Sequence, residues 1–163
     1  MRKLSYFDRF DHWSWPDPKE LEPYFLAPPG KRWTFETGND SWGLDLEGVD
    51  GTEHLERFKG RIDIRLGMWG HPEHGILLMY EKVGGGFRET YYPAGDLNRL
   101  REWVRSLHGD PMPVGLYIPY ERAWIAVKEF METDGMRSSR IDWIEADDLP
   151  PDTFPNRFKM PKA

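Results

Sequence analysis

From Lys31 to Pro93 apolar and polar residues exchange every second position, and after Tyr92 that spacing stops. This switch of period limits the fold more than any other feature, because period two belongs to a pleated strand and period 3.6 to a helix. Trp33, Phe35 and Thr37 alternate with Arg32, Thr34 and Glu36, and Gly38-Asn39-Asp40 predicts a turn. Trp42, Leu44 and Leu46 alternate with Asp45 and Glu47, and Gly48-Val49-Asp50-Gly51 breaks the run. Ile62, Ile64 and Leu66 form one side of a half-buried strand. A loop follows at Gly70-His71-Pro72-Glu73-His74-Gly75. Ile76 to Glu81 is apolar on both faces, as a central strand is, and Gly84-Gly85-Gly86 turns the chain into Phe87–Tyr92. Such a region predicts antiparallel sheet.

Beyond Tyr92, Leu97, Leu100, Trp103, Val104 and Leu107 fall on one stripe of a helix, with Asp96 as N-cap and Gly109 as the stop. Val114–Ile118 reads as a short strand between Pro113 and Pro119. A second amphipathic helix is expected over Glu121–Thr133, burying Trp124, Val127, Phe130 and Met131, and Arg140–Ile144 reads as a last strand. The fold class is therefore α+β: an antiparallel β-sheet with two amphipathic helices packed on it, and an aromatic and proline-rich N-terminal arm.

That arm, residues 1–30, carries seven aromatics among Pro16, Pro18, Pro23, Pro28 and Pro29. The prolines exclude a long helix, although Pro18 suits the first turn of a short one from Asp17 to about Tyr24. An arm that lays its rings on the main domain is preferred over a docking arm, since so many exposed aromatics would promote aggregation. The expected division is arm 1–30, an α+β domain over 31–149, and an extended tail over 150–163. At 163 residues the chain suffices to bury roughly 70% of its unfolded surface.

The formal charge of −6 argues against direct nucleic-acid binding, which needs cations to neutralise phosphate. Nine acids against four bases between Glu121 and Asp152 hold most of that excess. An acidic face of this kind suits a basic partner, or is simply solvated. Without cysteine there are no disulfides, thiol nucleophiles or thiolate-ligated metals, which suits a reducing cytoplasm. No apolar run approaches the ~20 residues of a membrane span, and no secretory h-region follows Met1-Arg2-Lys3.

The candidates for chemistry are few. His71-Pro72-Glu73 repeats the H-x-E of zinc-dependent nucleobase deaminases, whose site needs two further thiolates that this chain lacks. His71 and His74 lack an evident third metal ligand. Gly84-Gly85-Gly86 lacks the spacing and the lysine of a phosphate loop, and Ser138-Ser139 lacks a nucleophile elbow. Neither a catalytic residue nor a metal or other cofactor is expected.

The second half resembles immunity protein family one of bacterial polymorphic toxin systems. The resemblance rests on Gly75–Tyr80, the Gly84–Gly86 loop, Tyr91-Tyr92, Ile118–Ala123, Ala126–Phe130, Thr133 and Ile141-Asp142-Trp143. It covers about residues 60 to 145. It implies a cytoplasmic antitoxin whose partner is a cognate protein toxin, chiefly a nucleic-acid deaminase. The acidic charge, suited to a basic cleft, adds the expectation of stoichiometric occlusion of the toxin's active site or nucleic-acid cleft. The residues selected as toxin contacts are Trp69, His71, Glu73 and His74 in the central loop, Phe87 after the glycines, and Glu145, Asp147 and Asp148 after the last strand. Loops and acids are expected on one side of the molecule. Two alternatives remain: a small hydrolase or isomerase built on the histidines, and a homo-oligomeric module joined through the arm.

Overall fold

A computed structural model describes residues 1–7, 10–26, 28–29, 33 and 39–158. The main sheet is antiparallel, in the order β1 (Arg2–Tyr6), β2 (Ser41–Glu47), β3 (Asp63–His71), β4 (Gly75–Gly84), β5 (Phe87–Pro93) and β9 (Trp143–Glu145). A short β8 (Tyr117–Ile118) pairs with β4 beyond the end of β5, and β6 (Trp103–Arg105) with β7 (Pro111–Pro113) forms a separate two-stranded sheet. The helices are α1 (Pro18–Leu26) and α2 (Tyr120–Glu132). Among the described residues, no helix is long and apolar enough to cross a membrane. The mixed α+β class expected from the two periods is the observed one. The predicted Trp33–Thr37 strand lies outside the described residues apart from Trp33.

Alternation in the sheet works as the sequence implies. Trp42, Leu44 and Leu46 on β2 meet Met68, Leu66 and Ile64 on β3, and Leu78 and Tyr80 continue that face on β4. Both helices cover it through Leu21, Tyr24, Phe25, Trp124, Val127 and Phe130, all buried in one core. β4 is central, and Ile76, Leu77 and Leu78 are fully buried although they point to alternate faces. Leu77 belongs to a second, smaller core with Leu100, Met112, Leu116 and Tyr117, under the β6–β7 hairpin.

The N-terminal segment is part of this architecture. β1 extends the sheet, and Phe7 and Phe25 are fully buried. α1 forms where the sequence places a short helix, with Pro18 at its first position and the Asp17 carboxylate accepting from the Lys19 amide at 2.8 Å. The Trp15 indole donates to the Leu4 and Asp45 carbonyls and lies 5.4 Å from the Phe130 ring. Trp13 remains exposed.

The helix expected over Leu97–Leu107 does not form. Asp96 caps a single 3-10 turn, Leu97–Arg99, by accepting from the Asn98 amide, and Trp103–Arg105 is then extended. The expected stripe is not a buried face: Leu100 is buried, whereas Leu97 and Leu107 are exposed. Tertiary partners explain the outcome. Extended backbone lets Val104 pair with Met112, sends the Trp103 indole to the Thr153 carbonyl, and lets the buried Asp40 carboxylate accept from the Leu107 amide. Two other boundaries move. Val114–Leu116 is a 3-10 turn before β8, and the last strand starts at Trp143 rather than Arg140. The described part of the tail proceeds in turns, with Thr153 buried and Phe154 5.0 Å from Tyr92.

Candidate functional site

The loop richest in polar chemistry is the turn from β3 into β4. His71 closes the ladder opposite Gly75, leaving Pro72, Glu73 and His74 to reverse the chain. Gly75 has φ +95°, and a Cβ there would fall on the Ile118 carbonyl oxygen, so only glycine lets β8 approach. The His71 and His74 rings stack at 4.7 Å with 30° between planes, and Tyr117 borders them at 6.1 and 6.2 Å. The Glu73 amide donates to His71 Nδ1 at 3.1 Å, which leaves the proton of the neutral ring on Nε2. Below, the Tyr120 hydroxyl donates to the His71 carbonyl at 2.9 Å.

Burial, and then the facing His74, hold the His71 pKa below the ordinary imidazole value, so its neutral form is favoured. Burial likewise pushes the Tyr117 and Tyr120 hydroxyls above the usual phenol range, and both remain protonated at neutral pH. Asp40 lies behind this group: its main-chain oxygen accepts from the Gly70 amide and the Trp33 indole, and one carboxylate oxygen accepts from Leu107. Trp69 shares a β3 face with His71 and packs half-buried against the second core. Among the described residues, no three His, Asp or Glu side chains are placed to share a metal ion.

The eight selected contacts occupy three places. Trp69, His71, Glu73 and His74 are together at one end of the sheet. Phe87 lies opposite Gly84, at the other end of β4, roughly 30 Å away at 3.3 Å per residue. Glu145 pairs with Tyr91 on the outermost strand, and Asp147 and Asp148 follow in a 3-10 turn, Ala146–Asp148. The expectation of a single contact side therefore does not hold for Phe87, because a hairpin puts its two turns at opposite ends of the strand they share. Asp147 and Asp148 are exposed and make no ion pair among the described residues, whereas Asp134 pairs with Lys3 and Asp152 with Arg101.

Residues outside the selection also gather. Tyr117 and Tyr120, from the junction of β8 and α2, and Asp40, from just before β2, surround the histidine turn. Both segments are distant from it in sequence, so no local spacing announces them. On the sheet face away from the helices, Asp45, Asp63, Arg65 and Glu81 stand at the alternate positions of β2, β3 and β4. Their alternation with the buried residues was the available signal. No family model matches the chain, and neither a curated protein nor a solved structure matches it.

Proposed function

We propose that this protein is an immunity protein that binds and neutralises a cognate toxin, a nucleic-acid deaminase, by stoichiometric occlusion in the cytoplasm. The reading starts from the family resemblance of residues 60–145. The observation that carries it is the acidic edge: Glu145 on the outermost strand, with the exposed Asp147 and Asp148, without an ion pair among the described residues, held beside it in a tight turn. An enzyme that grips nucleic acid presents a basic cleft, and carboxylates fixed on a sheet edge can occupy it in place of phosphate. Rigidity matters, since a preformed edge loses little conformational entropy on binding. Neutralising a catalyst that turns over many substrates demands a Kd of nanomolar order, about −12 kcal/mol.

Co-expression with the toxin encoded beside its gene tests the reading. Asp147→Lys with Asp148→Lys should abolish survival while circular dichroism shows the fold retained. Survival unchanged by that pair rejects the acidic edge as the inhibitory surface.

A further inference from the structure

The helices cover one face of the sheet, and the β6–β7 hairpin covers only part of the other. What remains is a hollow of about 260 Å³, floored by β2, β3 and β4 and walled by the segment 57–61 and the start of β5. Its charges are layered. The carboxylates lie low: the Asp45 and Glu81 side chains are 17% and 23% exposed. Two guanidinium groups lie above them, with Arg65 48% and Arg88 66% exposed, whereas Arg61, 13% exposed, lies among the carboxylates and is engaged by Asp63 and Glu47. A chain with net charge −6 thus turns an arginine-rich surface outward on this one face.

The donors of that layer are largely unused. Arg65 gives its Nε–H to Asp45 at 3.1 Å and leans over the Tyr6 ring at 5.1 Å, leaving its terminal nitrogens without a hydrogen bond among the described residues. Arg88 reaches Glu81 only at 4.0 Å and makes no hydrogen bond there. Arg57 has no carboxylate partner at all among the described residues, and stands over the Phe58 ring at 4.8 Å. Phe58 itself is 76% exposed on a backbone with φ +66°, a conformation that costs a bulky residue energy and here turns its ring away from the core.

Planar guanidinium forks with free N–H groups match carboxylates two bonds at a time, and aromatic rings beside arginine are the composition that dominates protein interfaces. A dense polyphosphate fits less well. The floor carboxylates Asp45, Glu47, Asp63 and Glu81 offset the four arginines of the hollow at close range, and salt screens what remains beyond about 8 Å, so recognition must come from contact rather than long-range attraction. We infer that this sheet face is a second interaction surface, distinct from the acidic edge, that takes a protein segment bearing carboxylates around an apolar side chain. Arg57, Arg65 and Arg88 would hold the carboxylates, and Phe58 with Tyr6 would cover the apolar group. This surface does not depend on the toxin reading.

Selection of random twelve-residue peptides displayed on phage, with the full-length protein as bait, tests the inference. The expected result is enrichment of Asp and Glu flanking a large apolar residue. A synthetic peptide of that consensus should shift the Nε–H resonances of Arg57, Arg65 and Arg88, and should lose at least tenfold in affinity for Arg57→Glu with Arg88→Glu at unchanged near-ultraviolet circular dichroism. Four outcomes overturn it: no acidic consensus, equal affinity for the double variant, equally tight binding of a twelve-nucleotide oligothymidylate at the same resonances, or self-association of the unmutated protein that the double variant removes.

Discussion

Replacing Gly70 with alanine tests how the N-terminal region is locked to the sheet. A Cβ at this position falls on the Trp33 indole, 2.5 Å from Cδ1 and 2.6 Å from Cε2, and nearer still to Nε1. The indole has no room to retreat. It stacks on Trp42 at 4.6 Å, meets Phe25 edge-on at 5.3 Å, and donates to the Asp40 carbonyl at 3.1 Å. Overpacking of a filled core costs about 1–3 kcal/mol, and breaking the buried indole bond adds about 1–3 kcal/mol. The expected loss is therefore about 4 kcal/mol, which in a chain of this size lowers Tm by roughly 10 °C. Urea unfolding followed by tryptophan fluorescence measures it. Gly51→Ala is the control: its φ of +76° is unfavourable for alanine, but nothing lies within 4 Å, so about 1 kcal/mol is expected. Trp33→Leu in the Gly70→Ala background should cost about 2 kcal/mol less than the two changes summed, because the colliding atoms are gone. A Gly70→Ala protein within 0.5 kcal/mol (about the scatter of surface substitutions) of the original would refute this account of the Trp33 cage.

Three further outcomes follow from the same packing. His71 has a lowered pKa in the fold, so as pH drops below about 6.5 the unfolded chain takes up the proton first and stability declines until the folded ring also titrates. Stability curves between pH 7.5 and 5 should show this fall, and His71→Gln should flatten it. The Tyr80 hydroxyl donates to the Gly135 carbonyl at 2.9 Å inside the core, so Tyr80→Phe should cost about 1–3 kcal/mol in urea unfolding by leaving that oxygen unpaired. Deleting residues 1–26 removes the fully buried Phe7, Leu21 and Phe25, at about 2 kcal/mol each. That approaches the whole stability of a typical domain, and the truncated chain should lack a cooperative unfolding transition.

What the sequence determined by itself is the local part. Alternation in β2 and β3, the doubly apolar β4, the glycine hairpin and α2 with its buried stripe are all set by backbone geometry acting over a few residues, and they appear where the pattern puts them. Where local and distant forces competed, only the tertiary structure decided. Leu97–Leu107 carries a helical stripe, yet Met112, Thr153 and Asp40 offer partners that an extended strand reaches and a helix does not. The selected contacts divide for the same reason. The spacing of His71 and His74 did not guarantee a common face, and only the folded turn stacks their rings. Nor does sequence distance say which end of a hairpin faces which edge of a sheet, so Phe87 and Asp147 part from them. The layered arginines were equally hidden, since Arg57, Arg65 and Arg88 meet only when three separate segments fold over one face.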